Sequence, residues 1–172
     1  YSTPGHPWNK ERIEAEKKVI REYGIRRKNE IWKMNSILKD IQRQAKTIIG
    51  SRTSQSEIEK ERLLAKIYKL GFLPKNSGIG DVLNLQLKDI VERRLQTLIV
   101  RKKLGNTMLQ ARQFITHYHI SVNGKKISSP SYIVPISNEP QISYAEDSGL
   151  KSIKAETNKK TETAVTGKDK HE

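Results

Sequence analysis

The chain contains no cysteine. That excludes disulfide frameworks, thiol catalysis and cysteine-ligated zinc or iron–sulfur centres, and it fits a reducing compartment. Aromatic residues are scarce: 2 Trp, 2 Phe and 6 Tyr among 172 residues. Apolar residues reach only 34%, against roughly 45–50% in an ordinary globular domain. They can fill one modest core or a split one, but no large catalytic barrel. No apolar run approaches the roughly 18 residues that a membrane-crossing helix needs. The opening Tyr1-Ser2-Thr3-Pro4-Gly5 lacks the apolar segment of a signal peptide, and without an initiator Met the numbering is expected to begin inside the natural chain. Potential metal ligands are sparse too. His117 and His119 form the one close histidine pair, their i, i+2 spacing puts them on different sides of a helix, and no third ligand lies near in sequence. Neither a metal nor a cofactor is expected, and no catalytic role.

What the chain has in excess is positive charge, 33 Lys+Arg against 19 Asp+Glu for a net +14. It is unevenly spread. Residues 1–50 carry 12 basic and 6 acidic residues, and residues 51–90 carry 7 and 5. Residues 91–130 carry 8 basic residues and a single acid, Glu92, whereas residues 131–172 carry 6 and 7. A folded module with the balance of 91–130 repels itself unless a polyanion neutralises it, and nucleic acid is the first candidate. A solvated basic face is the bland alternative, but such faces usually mix both signs. An anionic membrane is disfavoured because the basic faces are not backed by a strongly apolar exposed face.

The pattern along the chain predicts an α+β protein in three parts: a basic helical region over 1–90, a small RNA-binding domain over 91–144, and a charged low-complexity tail over 145–172. Residues 1–8, with Pro4, Gly5 and Pro7, read as an extended arm. Asn9 is a plausible cap for a helix over about 10–23, with Trp8 and Ile13 placed for a hydrophobic staple and Gly24 as the stop. Ile31, Met34, Leu38, Ile41, Ala45 and Ile48 recur at steps of 3 and 4, which predicts one helix face, started near Asn29 and ended by Gly50. Residues 51–56 read as a linker. Ser56 and Glu59 fit a capping box before a helix that closes at Gly71. Pro74 to Gly80 reads as a loop, and a further helix is expected over roughly 87–103. From Ile120 the pattern alternates around Asn123-Gly124, a hairpin signal because both turn residues take positive φ. Tyr132-Ile133-Val134 reads as another strand. Beyond about Tyr144 the apolar content is too thin to offset ordering entropy, so the tail is expected to be disordered when free.

On a helical wheel, Val91, Leu95, Leu98 and Ile99 share one side of the 87–103 helix. Arg94, Thr97 and Arg101 share the other, with Arg93 beside them. Lys102 falls on the apolar side, which implies that the helix frays near there or that its stem snorkels. Leu104-Gly105-Asn106 reads as a turn, and Thr107 with Gln110 as the capping box of a second helix whose buried stripe is Met108, Ala111, Phe114, Ile115 and Tyr118. Its polar side carries Gln110, Arg112, Gln113, Thr116 and His117. Two basic helical ridges followed by a hairpin suit phosphates, which arginine forks match bidentately. With few aromatics on those ridges, folded RNA is a better fit than a single-strand stacking platform.

The runs Glu92-Arg93-Arg94-Leu95-Gln96-Thr97-Leu98, Gln110-Ala111-Arg112-Gln113-Phe114-Ile115-x-His117-x-His119-Ile120-x-Val122-Asn123-Gly124 and Pro130-Ser131-Tyr132-x-Val134 closely resemble the RNA-binding domain of the small-subunit ribosomal protein S-four family. Pro4-x-His6-Pro7-Trp8, Tyr23-Gly24 and Asp81-Val82-Leu83 resemble its archaeal and eukaryotic branch, so the likeness covers roughly residues 1–140. It implies a helical domain joined to a two-helix, short-sheet RNA-binding domain. It implies a structural, non-enzymatic constituent of the small ribosomal subunit in the cytoplasm. Such a protein binds 16S-type ribosomal RNA early in assembly, beside neighbouring small-subunit ribosomal proteins and near where mRNA enters. Carried over by position, the RNA-facing set is Arg93, Arg94, Thr107, Gln110, Arg112, Gln113, Asn123 and Lys125. The charge and wheel readings add Arg101, Lys102, Lys103, His117 and Lys126, and the N-terminal helices add Arg26, Arg27, Lys28, Arg43 and Lys46. Two departures from the family pattern stand out. Tyr118 replaces a Gly between the histidines, and Leu104-Gly105-Asn106 replaces Gly-Leu-Ala. The zinc-binding cysteines of bacterial members have no counterpart here. Related domains on pseudouridine synthases and tyrosyl-tRNA synthetases accompany a large catalytic domain, which about ninety basic helical residues cannot supply. An assembly factor acting on precursor RNA is the rival reading.

Overall fold

The computed structural model describes residues 1–51 and 54–149. Most of the tail read from 145 onward, residues 150–172, therefore lies outside the described residues. Helix α1 (Lys10–Tyr23) starts where the sequence places it, with Asn9 Oδ1 accepting the Arg12 N–H at 3.0 Å. The expected staple is absent: Trp8 is 91% exposed. Arg12 holds the arm instead, donating from Nη2 to the carbonyls of His6 (3.2 Å) and Pro7 (2.9 Å). Helix α2 (Lys28–Gly50) buries Ile31, Met34, Ile41, Ala45 and Ile48 of the stripe that the 3-and-4 spacing specifies, with Leu38 half-buried against the same core. Asn29 lies inside this helix rather than capping it, since Arg27 occupies the cap without a side-chain bond. Helix α3 (Ser54–Leu70) begins before Ser56, so the proposed capping box there is also displaced. Gly71 ends it at φ +75°. A short helix, α4 (Ile79–Leu83), starts within the last two residues of the Pro74–Gly80 loop, its first turn secured by the Asp81 carboxylate accepting Gly78 N–H at 2.8 Å.

The predicted 87–103 helix is two helices, α5 (Leu87–Glu92) and α6 (Leu95–Arg101), broken at Arg93-Arg94. The break follows from cross-chain backbone bonding. Arg94 bridges Ile133, Leu95 N–H donates to Tyr132 O at 2.8 Å, and Val134 N–H donates to Arg93 O at 3.1 Å. Tyr132–Val134 is thus no strand of the sheet, which is a correction. Its extended backbone is spent on the α5–α6 junction. Helix α7 (Met108–Thr116) follows, capped by the Thr107 hydroxyl on Gln110 N–H at 3.2 Å. Gln110 Oε1 returns the bond to Asn106 N–H at 2.8 Å, one residue earlier than a regular capping box. The helix then turns through the left-handed region at Tyr118 (φ +61°), with His119 N–H reaching Phe114 O at 2.9 Å. The tyrosine tolerates the geometry expected of glycine, and it leaves the buried stripe to lie 56% exposed.

Strands β1 (Ile120–Val122), β2 (Lys125–Lys126) and β3 (Ile142–Tyr144) form an antiparallel sheet in the order β2-β1-β3. Asn123-Gly124 makes the tight turn at φ +52° and +73°. β3 was not expected. It pairs along the whole of β1, and order continues beyond it, with Ala145 N–H donating to His119 O at 2.8 Å. Two apolar cores result. One joins α1–α5 around Ile31, Ile67, Val82 and Ile90; the other joins α6, α7 and the sheet around Leu95, Ile99, Ile115, Ile120 and Val134. Each fully buried aliphatic side chain contributes about 1.5–3 kcal/mol.

Candidate nucleic-acid interface

The two cores are locked by polar contacts that run through residues expected to face RNA. Arg94 is 1% exposed. Its Nη2 donates to Glu30 Oε2 at 2.5 Å and to Ser131 Oγ at 3.0 Å. Arg112, half-buried, donates from Nη2 to the other oxygen of the same carboxylate at 3.2 Å. Glu30 from α2 therefore clamps α6 and α7. Burial works against its ionisation, but the hydrogen bonds and charges of Arg94 and Arg112 outweigh burial and hold its carboxyl below the ordinary range. Placing Arg94 and Thr97 on an exposed ridge is accordingly corrected. The wheel assumed one unbroken helix; at the actual break Arg94 caps α6 and points inward, and Thr97, 2% exposed, donates its hydroxyl to Val91 O at 3.0 Å.

Arg93 is similarly committed, donating to Glu139 Oε2 at 2.7 Å and to Val134 O at 2.9 Å. The helix ends at Arg101, so Lys102 lies just past it as the C-cap, and its Nζ donates to the Glu139 carbonyl. Glu92 pairs with the half-exposed Arg101 at 2.7 Å, and Asp89 accepts Gln86 N–H at 2.8 Å. Gln96 is a further tie: its Nε2 donates to Met108 O at 2.8 Å and to Gly24 O at 3.3 Å. The junction leaves no room at two glycines. A Cβ on Gly24 (φ +57°) would stand 2.7 Å from Met108 Cβ, and one on Gly71 would stand 2.8 Å from Ile136 Cγ1.

The remaining predicted residues face solvent. Lys103, Thr107, Gln113, His117, Asn123, Lys125 and Lys126 are exposed on the α6–α7–hairpin side, with Gln110 half-buried. Lys126 reaches Asp147 at 2.5 Å, which lowers the pKa of that exposed carboxyl. Arg26, Arg27, Lys28, Arg43 and Lys46 are exposed on the helical region. Of these, Lys28 lies 4.0 Å from Glu16, and Arg43 bonds Asp40 at 2.9 Å. Arg26, Arg27, Lys46, Lys103 and Lys125 enter no ion pair among the described residues. Sequence reasoning also passed over Arg21, exposed at the end of α1 and in no ion pair among the described residues. Its signal was available, since it lies one helical turn before Gly24. No group of three or more potential metal ligands occurs among the described residues.

An arginine-braced pair of short helices, a glycine-tipped hairpin and a positive outer surface define an S4-domain protein, and the family model described as the S4 domain matches residues 93–139. The chain is 48% identical over 153 residues to the small ribosomal subunit protein uS4 of Methanococcus aeolicus, covering 88% of this chain and 86% of that protein. It is 43% identical to the small ribosomal subunit protein uS4 of Saccharolobus solfataricus, covering 88% of this chain and 84% of that one. The chain belongs to the small ribosomal subunit protein uS4 family.

Proposed function

We propose that this chain is a structural, non-catalytic constituent of the small ribosomal subunit in the cytoplasm. In this reading it binds 16S-type ribosomal RNA directly, helps nucleate subunit assembly, and lies among neighbouring small-subunit proteins near where mRNA enters. The observation that carries the RNA contact is the separation of cations by role. Arg93, Arg94 and Arg112 are matched with carboxylates inside the fold and Arg101 with Glu92 at its surface, whereas Arg26, Arg27, Lys103 and Lys125 stand exposed without acidic partners among the described residues. A polyphosphate supplies the missing counter-charge. Lys28, Arg43, Lys46, Thr107, Gln110, Gln113, His117, Asn123 and Lys126 would extend the same surface.

The test is binding to a small-subunit rRNA fragment across salt. With about five phosphates neutralised, log affinity should fall with log salt at a slope of about −4, a loss of a few hundredfold between about 50 and 200 mM. A flat response would remove the electrostatic basis of the proposal.

A further inference from the structure

A groove of about 710 Å³ lies between the end of α1 and the first turn of α7. Its floor is apolar: Ile20 and Ile25 from the helical region meet Met108 and Leu109 from the S4 domain. Leu109 is 70% exposed, an unusual position for a leucine at the mouth of a basic cleft. Arg21, Arg26 and Arg112 line the groove, and no carboxylate does. Arg21 and Arg26 are exposed and enter no ion pair among the described residues, while Arg112 is fixed by its 3.2 Å bond to Glu30. The groove takes its shape from contacts already described, because Gly24 and Met108 approach too closely for a Cβ and Gln96 ties both backbones together. It is preformed, and both halves of the protein build it.

We infer that this groove receives one unstacked nucleotide of the bound RNA, its base against Met108 and Leu109 and its flanking phosphates on Arg21 and Arg26. The inference rests on the RNA-binding reading and adds a subsite to it. Volume, floor and rim agree with that occupant: about 300–1,000 Å³ suits a small-molecule-sized group, an apolar floor accepts the face of any base, and guanidinium forks match phosphate oxygens. The first turn of α7 at the border adds a favourable dipole for a phosphate. An acidic peptide with an apolar anchor is the competing occupant. Three arginines with planar forks and no lysine, in a cleft joining two cationic regions, favour the nucleotide.

The experiment uses the full chain and a small-subunit rRNA fragment carrying 4-thiouridine, with Arg21→Ala and Leu109→Ala compared with wild type by filter binding at several salt concentrations. Arg21→Ala should weaken binding about three- to tenfold and reduce the salt slope by about one. Leu109→Ala should weaken it about fivefold with the slope unchanged, because lost base contact releases no counterion. Photocrosslinks should map to the peptide containing Met108 and Leu109. Circular dichroism should be unchanged in both variants, and the crosslink on wild type provides a readout independent of their folding. If wild type binds the fragment with the expected salt slope but the crosslink is absent and both variants bind equally, the groove is overturned and RNA binding stands. If wild type itself fails to bind, both readings fall. Variants that keep rRNA affinity but lose binding to isolated small-subunit proteins would assign the groove to a peptide and overturn the inference.

Discussion

Replacing Glu30 by Ala removes the acceptor on which two helices of the S4 domain converge. The carboxylate receives Arg94 at 2.5 Å and Arg112 at 3.2 Å, and Arg94 is 1% exposed. Without it, Arg94 keeps Ser131 Oγ at 3.0 Å as its remaining acceptor and otherwise stays charged in the interior, where Nε and Nη1 already find no partner. Breaking one side of a buried pair costs about 3–5 kcal/mol. The retained serine bond and the partial exposure of Arg112 place this case at the low end, about 3 kcal/mol. For a chain of this size that corresponds to a fall in Tm of about 6–12 °C. The measurement is thermal unfolding followed by circular dichroism, with Glu30→Gln as the shape-matched control. The pH response is diagnostic. The folded pKa of Glu30 is depressed, so its stabilisation is present above the ordinary glutamate value of about 4.3 and is lost as pH falls through its lowered folded value. The gap between wild type and Glu30→Gln should therefore be widest near neutrality and close below that point. A Glu30→Ala variant melting within a degree of wild type, or a gap that widens in acid, would show that the clamp is not a stabilising contact.

Other perturbations separate the structural from the exposed cations. Arg94→Met should change the salt slope for rRNA by less than about 0.3 in protein that remains folded, because a guanidinium facing Glu30 neutralises no phosphate; a loss of about one unit would reinstate it as an RNA contact. Lys103→Ala and Lys125→Ala should each flatten the slope by about one while leaving Tm within a degree, since both are exposed and in no ion pair among the described residues. Gly24→Ala should lower stability by at least about 2 kcal/mol in urea unfolding, combining left-handed strain with a 2.7 Å approach to Met108 Cβ. Tyr118→Gly should raise stability by up to about 1 kcal/mol, since an exposed tyrosine at φ +61° carries left-handed strain that glycine does not.

Local signals in the sequence were reliable where the structure is local. The α2 stripe from Ile31 to Ile48, the Asn9 cap, the stop at Gly71 and the Asn123-Gly124 turn all depend on neighbours a few residues away, and all are present. The failures share a cause. Arg93-Arg94 breaks a helix because Tyr132 to Val134, some forty residues later, takes up its backbone groups. β3 forms because Ile142 finds Val122, although its own composition resembles the tail. Trp8 stays outside because Arg12 fastens the arm from another direction. No periodicity encodes such long-range partners. For the site, charge counting singled out a segment rich in arginine but could not tell an exposed guanidinium from one aimed at Glu30.

That distinction has a functional consequence. A protein that must grip a rigid RNA across two basic regions gains affinity if their spacing is fixed beforehand, because the ordering cost is met during folding and not on binding. Arg93, Arg94 and Gln96 occupy the middle of the junction, tied to Glu139, Glu30 and the backbone of Gly24 and Met108. Arg26 and Lys103 lie on opposite sides of that junction in sequence, and both are exposed. On the proposed RNA-binding reading, the internal arginines act indirectly, by holding the exposed cations at a set separation. Weakening the clamp with Glu30→Gln should cost rRNA affinity without changing the salt slope, since the same number of counterions is released from a less ordered surface. A parallel loss of slope would mean instead that the clamp residues themselves contact phosphate.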